Sequence, residues 1–169
     1  MKNAIISVWD KTGIVELAEF LVSNEINVYS TGGTKKVLEE NNIPVKSISD
    51  LTGFGSMMDG RVKTLHPYVF GGILADRHNS SHIDDLTNLN APQFDIVVVN
   101  FYPFKSMAVE KKLSLEESIN FIDIGGPSML RAAAKNYINV VPLLKSSMYN
   151  LFIEKYMEND GKILEEDRK

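Results

Sequence analysis

Phe94-Asp95-Ile96-Val97-Val98-Val99 ends in four consecutive β-branched apolar residues, with no polar position alternating between them. A strand with one wet face alternates, whereas a continuously apolar strand is covered on both faces, as in a parallel sheet. Working outward, three more runs share this character: Ala4-Ile5-Ile6-Ser7-Val8, Ile26-Asn27-Val28-Tyr29-Ser30 and Ile138-Asn139-Val140-Val141-Pro142-Leu143-Leu144. Val45-Lys46-Ser47-Ile48 and Gly72-Ile73-Leu74-Ala75 are weaker strand candidates.

Helical spacing fills the intervals. Ile14, Leu17, Ala18 and Leu21 share one face, with Thr12 as the expected N-cap. Val37 and Leu38 belong to a second helix opening near Thr34. Leu115, Ile119 and Ile122 mark a third, capped by Ser114 with Glu117 at capping-box spacing. Pro127 is expected in the first turn of a helix over Ser128–Lys135, where its missing N–H costs nothing. Strand then helix, repeated, predicts an α/β fold with a parallel sheet, and ligands bind such sheets beyond the carboxyl ends of the strands.

The chain of 169 residues suits one domain able to bury a core without staples. Its net charge of −4 gives no electrostatic ground for a nucleic-acid or membrane partner. No cysteine is present, so disulfides and thiolate metal sites are excluded, and His66, His78 and His82 are poorly placed for a metal. The N-terminus shows neither a basic flank nor a small-residue cleavage site, and no apolar stretch approaches spanning length, so a cytoplasmic location is expected.

Several segments with chemical potential follow the strands. Trp9-Asp10-Lys11-Thr12-Gly13 follows the first, and Ser30-Thr31-Gly32-Gly33-Thr34 follows the second while opening a helix. Glycines between hydroxyl residues at a helix N-terminus turn backbone N–H groups toward an anion, and Lys11 could neutralise it. The dinucleotide glycine spacing and the triphosphate-loop ending are both missing, so a single phosphate is the expected ligand. Asn100-Phe101-Tyr102-Pro103-Phe104 follows the third strong strand; Asn100 and Tyr102 can read a heterocycle, while Phe101 and Phe104 are expected in the core.

Ile122-Asp123-Ile124-Gly125-Gly126-Pro127 sets an acid between isoleucines, expensive to bury unpaired, before glycines that permit close approach to a ligand. Lys135 ends the following helix, where it either serves a site or complements the dipole. Met58-Asp59-Gly60-Arg61-Val62-Lys63-Thr64-Leu65-His66-Pro67 has neither helix nor strand periodicity and reads as a shaped loop. Its Arg61 and Lys63 suit an anionic small molecule.

Taken in order, these segments resemble the inosine monophosphate cyclohydrolase domain of the bifunctional purine-biosynthesis protein, whose other activity is a transformylase. Asp10 to Gly13, Ser30 to Thr34, Asp59 to Pro67, Asn100 to Phe104, Ile122 to Pro127 and Ala133-Ala134-Lys135-Asn136 carry the likeness, which covers essentially the whole chain. The resemblance implies a methylglyoxal-synthase-like three-layer sandwich, a mostly parallel sheet flanked by helices, forming a homodimer. It implies closure of 5-formamidoimidazole-4-carboxamide ribonucleotide to inosine monophosphate with loss of water, without metal or organic cofactor.

Under that resemblance, Lys11 and the backbone of Thr31, Gly32, Gly33 and Thr34 hold the 5′-phosphate with Ser7 nearby. Arg61 and Thr64 complete the nucleotide contacts, and Gly125 and Gly126 allow close approach. Lys63 stabilises the developing oxyanion, Asp123 and Lys135 assist proton removal and departure of water, and Tyr102 and Asn100 orient or relay protons.

Trp9 stands where the family has a small hydroxyl residue, Tyr68 and Phe70 where it often has Lys and His, and Gly55-Ser56 where it has Pro-Glu. The family continues into the transformylase domain, so a single domain over residues 1–169 without that partner is expected, either a stand-alone protein or a truncated one. In the truncated case, apolar surface near Leu151, Phe152 and Leu164 would be exposed. Two other functions share the expected architecture. A regulatory nucleotide-binding module would need Lys11 and the Thr31–Thr34 turn but not the remaining set, and methylglyoxal synthase would need a carboxylate beside its phosphate site.

Overall fold

The computed structural model describes residues 2–168. Its centre is a five-stranded sheet of β1 (Asn3–Ser7), β2 (Asn27–Ser30), β3 (Lys46–Ser47), β4 (Ile96–Val99) and β5 (Val141–Leu143), ordered β3-β2-β1-β4-β5. Every neighbouring pair is parallel, with Ile5 opposite both Tyr29 and Val97. Pro142 lies in β5, an edge strand, where a missing N–H costs the ladder least.

Side chains alternate across the sheet and explain why the runs are continuously apolar. Ala4, Ile6, Ile96 and Val98 face one core; Ile5, Val97 and Val99 face the other. The first core is closed by α1 (Ile14–Ser23) and α8 (Tyr149–Glu158), the second by α4 (Pro67–Leu74) and α7 (Gly125–Lys135). On α1 the buried residues are Ile14, Leu17, Ala18 and Leu21, the stripe that the 3.6-residue period requires. Between these elements run α2 (Gly32–Glu40), α3 (Ile48–Thr52), α5 (Ser80–Leu89) and α6 (Leu115–Ile119).

Several expectations are corrected. Gly72 to Ala75 is no strand: Gly72 to Leu74 end α4, and Gly72 lies against the chain just before β4, its carbonyl accepting from Phe94 N–H at 2.9 Å. Gly13, not Thr12, caps α1, because Thr12 donates both its N–H and its hydroxyl to the Asp10 carboxylate. The second helix opens at Gly32 rather than Thr34, and α7 begins at Gly125, so Pro127 is its third residue and still needs no intrahelical donor. Ser114 and Glu117 do form the full capping box of α6, yet Leu115 is 80% exposed and Ile119 and Ile122 are exposed too. Phe104 is likewise exposed, whereas Phe101 packs against the second core. Near the C-terminus Phe152 is buried in the first core, leaving Leu151 and Leu164 exposed.

Candidate active site

The chain leaves β1 toward β2 and β3 on one side, then returns to place β4 and β5 on the other. The carboxyl ends of β1 and β4 therefore diverge at a topological switch point, where loops part and leave a crevice. A cleft of about 790 Å³ opens there. Ser7 and Lys11 line it from β1, Thr31 to Thr34 from β2, and Asn100 and Tyr102 from β4. The 59–64 loop and the turn before α7 supply the rest.

One end is built for an anion. The Thr31 side chain makes no cap bond, and α2 opens at Gly32 with φ +56°, so the helix's first N–H groups face the cleft wall. The Thr34 hydroxyl is spent on structure, accepting from Val8 N–H at 3.2 Å and donating to Val8 O at 2.9 Å. Thr34 thus offers the cleft its backbone rather than its side chain. The Lys11 ammonium donates to the carbonyls of Val8 and Trp9, and burial pulls its pKa below the ordinary lysine value against the opposing pull of Asp10. Asp10 itself sits below its usual range because Thr12 donates to it twice, with Lys11 adding a smaller effect.

The 57–64 loop is a tight hairpin: Met57 and Val62 exchange both backbone hydrogen bonds, at 3.2 and 3.3 Å. Met58, Asp59 and Gly60 all take positive φ, at 51°, 53° and 88°. Two consecutive non-glycine residues in that region store strain, roughly 1 kcal/mol each or more. The turn folds Lys63 back over Gly60 and brings its Nζ to 3.6 Å from where a Cβ on Gly32 would stand. Thr64, buried at the cleft floor, sets its Oγ1 only 2.9 Å from a Cβ position on Gly125. Any side chain at residue 125 would part these two loops. Arg61 Nη2 reaches across and donates to Asn120 Oδ1 at 3.2 Å.

Asn100 acts differently from expectation. Its Oδ1 accepts from the N–H groups of Trp9 and Asp10 at 2.6 and 2.9 Å, and its Nδ2 donates to Asp10 O at 2.9 Å. Both lone pairs of Oδ1 are filled, so it clamps the β1 loop to the end of β4, and toward the cleft it has only its second Nδ2 hydrogen to offer. Asp123 is not buried between its isoleucines. Ile122 and Ile124 are exposed, and Asp123 Oδ1 accepts from Gly126 N–H at 3.1 Å, capping the start of α7. Gly126 fits closely there: a Cβ would stand 3.0 Å from Asp123 Oδ2 and 3.1 Å from the Phe101 ring.

Lys63, Tyr102, Asp123, Ser7, Arg61 and Asn100 thus share one cleft with the glycine pairs. Lys135 does not join them. It is exposed at the far end of α7, roughly 15 Å along the axis from Gly125. Its place fits dipole complementation, and a catalytic role would have to be exercised in another subunit's cleft.

Trp9, Ile119, Asn120 and Ile122 line the cleft without having been singled out as site residues. The apolar ones carry a helical spacing that mimics a core face. The signal against that was the shortness of the run before Gly125-Gly126. Among the described residues, no three His, Asp or Glu side chains converge where they could hold a metal ion.

A sheet with its cleft at this switch point, a glycine-opened α2 and a lysine folded against it define an α/β domain whose cleft offers backbone N–H groups and cations together. The model of the MGS-like domain matches residues 13–128, and the chain belongs to that family. It is 51% identical over 161 residues to the bifunctional purine biosynthesis protein PurH of Staphylococcus aureus strains JH1 and Mu50, covering 95% of this chain. The chain spans about a third of the length of those relatives, 32%. A crystal structure of ForH superposes with a TM-score of 0.82 at 32% identity, covering 99% of this chain and 87% of that one.

Proposed function

We propose that this chain is an inosine monophosphate cyclohydrolase, closing 5-formamidoimidazole-4-carboxamide ribonucleotide with release of water. The observation that carries the proposal is the Lys63 ammonium held beside Gly32, inside the same cleft as Asp123 and Tyr102. The purine-biosynthesis relatives at 51% identity support the choice of substrate.

In this mechanism Lys11 and the N–H groups of Gly32, Gly33 and Thr34 take the 5′-phosphate. The carboxamide nitrogen attacks the formyl carbon, a C–N bond forms, and the carbonyl electron pair moves to oxygen beside Lys63. Asp123, whose Oδ1 is held by Gly126, accepts the amide proton through its other oxygen. The former formyl oxygen leaves as water on taking two protons, the one held by Asp123 and the one the formamido nitrogen gives up, and the ring C=N forms. Tyr102, which lines the same cleft, relays the second of these protons. Because the reaction is intramolecular, holding the formyl arm in one rotamer contributes heavily.

A homodimer and a cytoplasmic location belong to the same proposal. The exposed Leu115, Ile119, Ile122 and Ile124 near the cleft mouth support self-association. None of the described helices is long and apolar enough to cross a membrane.

The test is to add the formylated ribonucleotide to purified protein and follow the ultraviolet change of ring closure. Turnover lowered by roughly 10²–10³ in a folded Lys63→Ala variant supports the proposal. Binding of inosine monophosphate with no turnover by the unmodified chain would reassign it to a regulatory nucleotide-binding module.

A further inference from the structure

A second cavity of about 240 Å³ lies at the opposite end of the sheet. Lys2 and Asp95, which precede β1 and β4, line it, as do Arg77, Lys162 and Arg168. Four cations thus face one carboxylate. That carboxylate is already committed: Asp95 Oδ1 accepts from Arg77 Nη1 at 2.9 Å, and Oδ2 accepts from Asn3 N–H at 2.7 Å.

The side-chain hydrogen bonds of Lys2 and Arg168 go to neutral acceptors. Lys2 donates to Gly161 O and, at 3.3 Å, to the Tyr156 hydroxyl. Arg168 donates to the carbonyl oxygen of Ile163 at 2.8 and 3.1 Å and to that of Ile138. Lys162 is exposed at the rim; its backbone N–H donates to Asn159 O at 3.1 Å, and its ammonium takes part in none of the side-chain hydrogen bonds or ion pairs of the described residues. Carbonyl dipoles orient a cation but leave its charge uncompensated, and like charges at a half-buried site repel. Burial and Arg77 hold the Arg168 pKa below its ordinary value, and this outweighs the opposing influence of Asp95 and Glu165. Ile96, Ile163 and Phe152 wall the remainder, limiting access by water.

We propose that this cavity is a second anion site, separate from the cleft, taking a small phosphate-type oxyanion between Lys2, Lys162 and Arg168. Such an anion bridges the start of β1 to the segment after α8. It ties the end of the chain to the sheet without touching the catalytic groups. The ligand class follows from donor chemistry: two ammonium groups and a guanidinium lining one cavity offer donors from separate segments, which suits a tetrahedral oxyanion with several acceptor oxygens.

The cleft is itself expected to bind phosphate, so the two sites must be told apart. The chain has a single tryptophan, Trp9, and it lines the cleft, so its emission reports cleft occupancy alone. Inorganic phosphate is titrated calorimetrically into the unmodified chain and into Lys11→Ala, at constant ionic strength set with sodium chloride, while Trp9 emission is followed. Ribose 5-phosphate is titrated in parallel to distinguish a free anion from an ester as the tighter ligand.

In Lys11→Ala, saturable phosphate binding that leaves Trp9 emission unchanged supports the second site. A further Lys162→Gln change should weaken that binding about ten-fold, the effect of one lost charge-assisted hydrogen bond. The Lys162 side chain makes no hydrogen bond or ion pair among the described residues, and its backbone N–H bond to Asn159 O is untouched by the change, so this variant keeps its structure. Loss of all phosphate binding in Lys11→Ala would overturn the proposal. So would binding that Lys162→Gln leaves unchanged, or that chloride abolishes at equal ionic strength.

Discussion

The Lys63 ammonium stands 3.6 Å from the place a Cβ on Gly32 would occupy, although the two residues sit on separate loops. A second glycine makes this possible. Gly60 has φ +88°, and a Cβ there would lie 2.7 Å from Lys63 Cε and 2.9 Å from its Nζ. One glycine passes under the stem of the lysine and the other flanks its head. The cation is thereby held at the start of α2, where the phosphate end of the cleft meets its reacting end.

Gly60→Ala and Lys63→Ala should therefore fail differently. The lysine's far end can move aside, so the stability cost of Gly60→Ala comes from positive φ, about 1 kcal/mol. Turnover should fall more than that cost suggests, because the displaced ammonium no longer meets the oxyanion. Lys63→Ala should lower kcat by roughly 10²–10³, the scale of one oxyanion donor, with unchanged denaturant stability. Steady-state kinetics beside urea unfolding of both variants makes the comparison; a kcat of Gly60→Ala equal to that of the unmodified chain would remove the packing argument.

Asn100 holds the β1 loop through three hydrogen bonds, and Asn100→Ala should show what that clamp is worth to binding. Freed from three hydrogen bonds, the Trp9–Asp10 segment shifts and carries Lys11 with it. KM for the nucleotide should rise about ten-fold while kcat at saturation changes little. The opposite pattern, a collapsed kcat at unchanged KM, would return Asn100 to the proton relay.

Nucleotide affinity should also depend on Lys11 ionisation. Burial lowers its pKa below the ordinary 10.5, and a bound phosphate stabilises the charged form. Affinity should thus decline as alkaline pH neutralises the free protein's Lys11, below the range of an exposed lysine. Lys11→Ala should weaken binding by roughly 10–100-fold and flatten that decline. Trp9 fluorescence titrations across pH read both; an equal alkaline decline in Lys11→Ala would assign it elsewhere.

The sheet was legible in the sequence because its strands are buried on both faces, and Ile96 to Val99 cannot be read as anything amphipathic. The start of α2 was legible for a different reason: Thr31-Gly32-Gly33-Thr34 announces a helix N-terminus by chemistry alone. Gly72-Ile73-Leu74 failed because a short apolar run has the same composition in a buried helix end as in a strand. Asn100 failed because its partners, the backbone N–H groups of residues 9 and 10, lie some ninety residues away and carry no sequence signature. Ile119 and Ile122 failed because a helical apolar spacing does not say whether it faces a core or the rim of a cleft.

The misread glycine yields its own prediction. A Cβ on Gly72 would sit 2.2 Å from Pro92 O and 2.9 Å from the Phe94 ring. Neither is the end of a flexible side chain, so α4 or the start of β4 must shift. Gly72→Ala should destabilise by roughly 1–3 kcal/mol, the usual range for overpacking, despite its better helix propensity. Urea unfolding showing Gly72→Ala as stable as its parent would mean this helix–strand contact is looser than described.

Tyr149 gives the fold a limit on its alkaline side. Its ring covers Gly13, with Cδ2 3.4 Å from a Cβ position there, and it is almost wholly buried. Burial first, then the nearby Asp10 charge, push its phenol from 10.0 up to about 12. A group whose folded pKa is raised contributes stability that is complete below the unfolded value. Above pH 10 the unfolded chain ionises its phenol while the native one resists, so that contribution drains away toward pH 12. Lys11, with its lowered pKa, changes in the opposite sense toward 10.5, so the raw pH profile mixes the two. Tyr149→Phe keeps the ring against Gly13 and removes only the titration. Unfolding free energies of the two proteins should differ by a constant below pH 10 and converge in favour of the variant above it. Parallel curves across that window would place the Tyr149 hydroxyl in water.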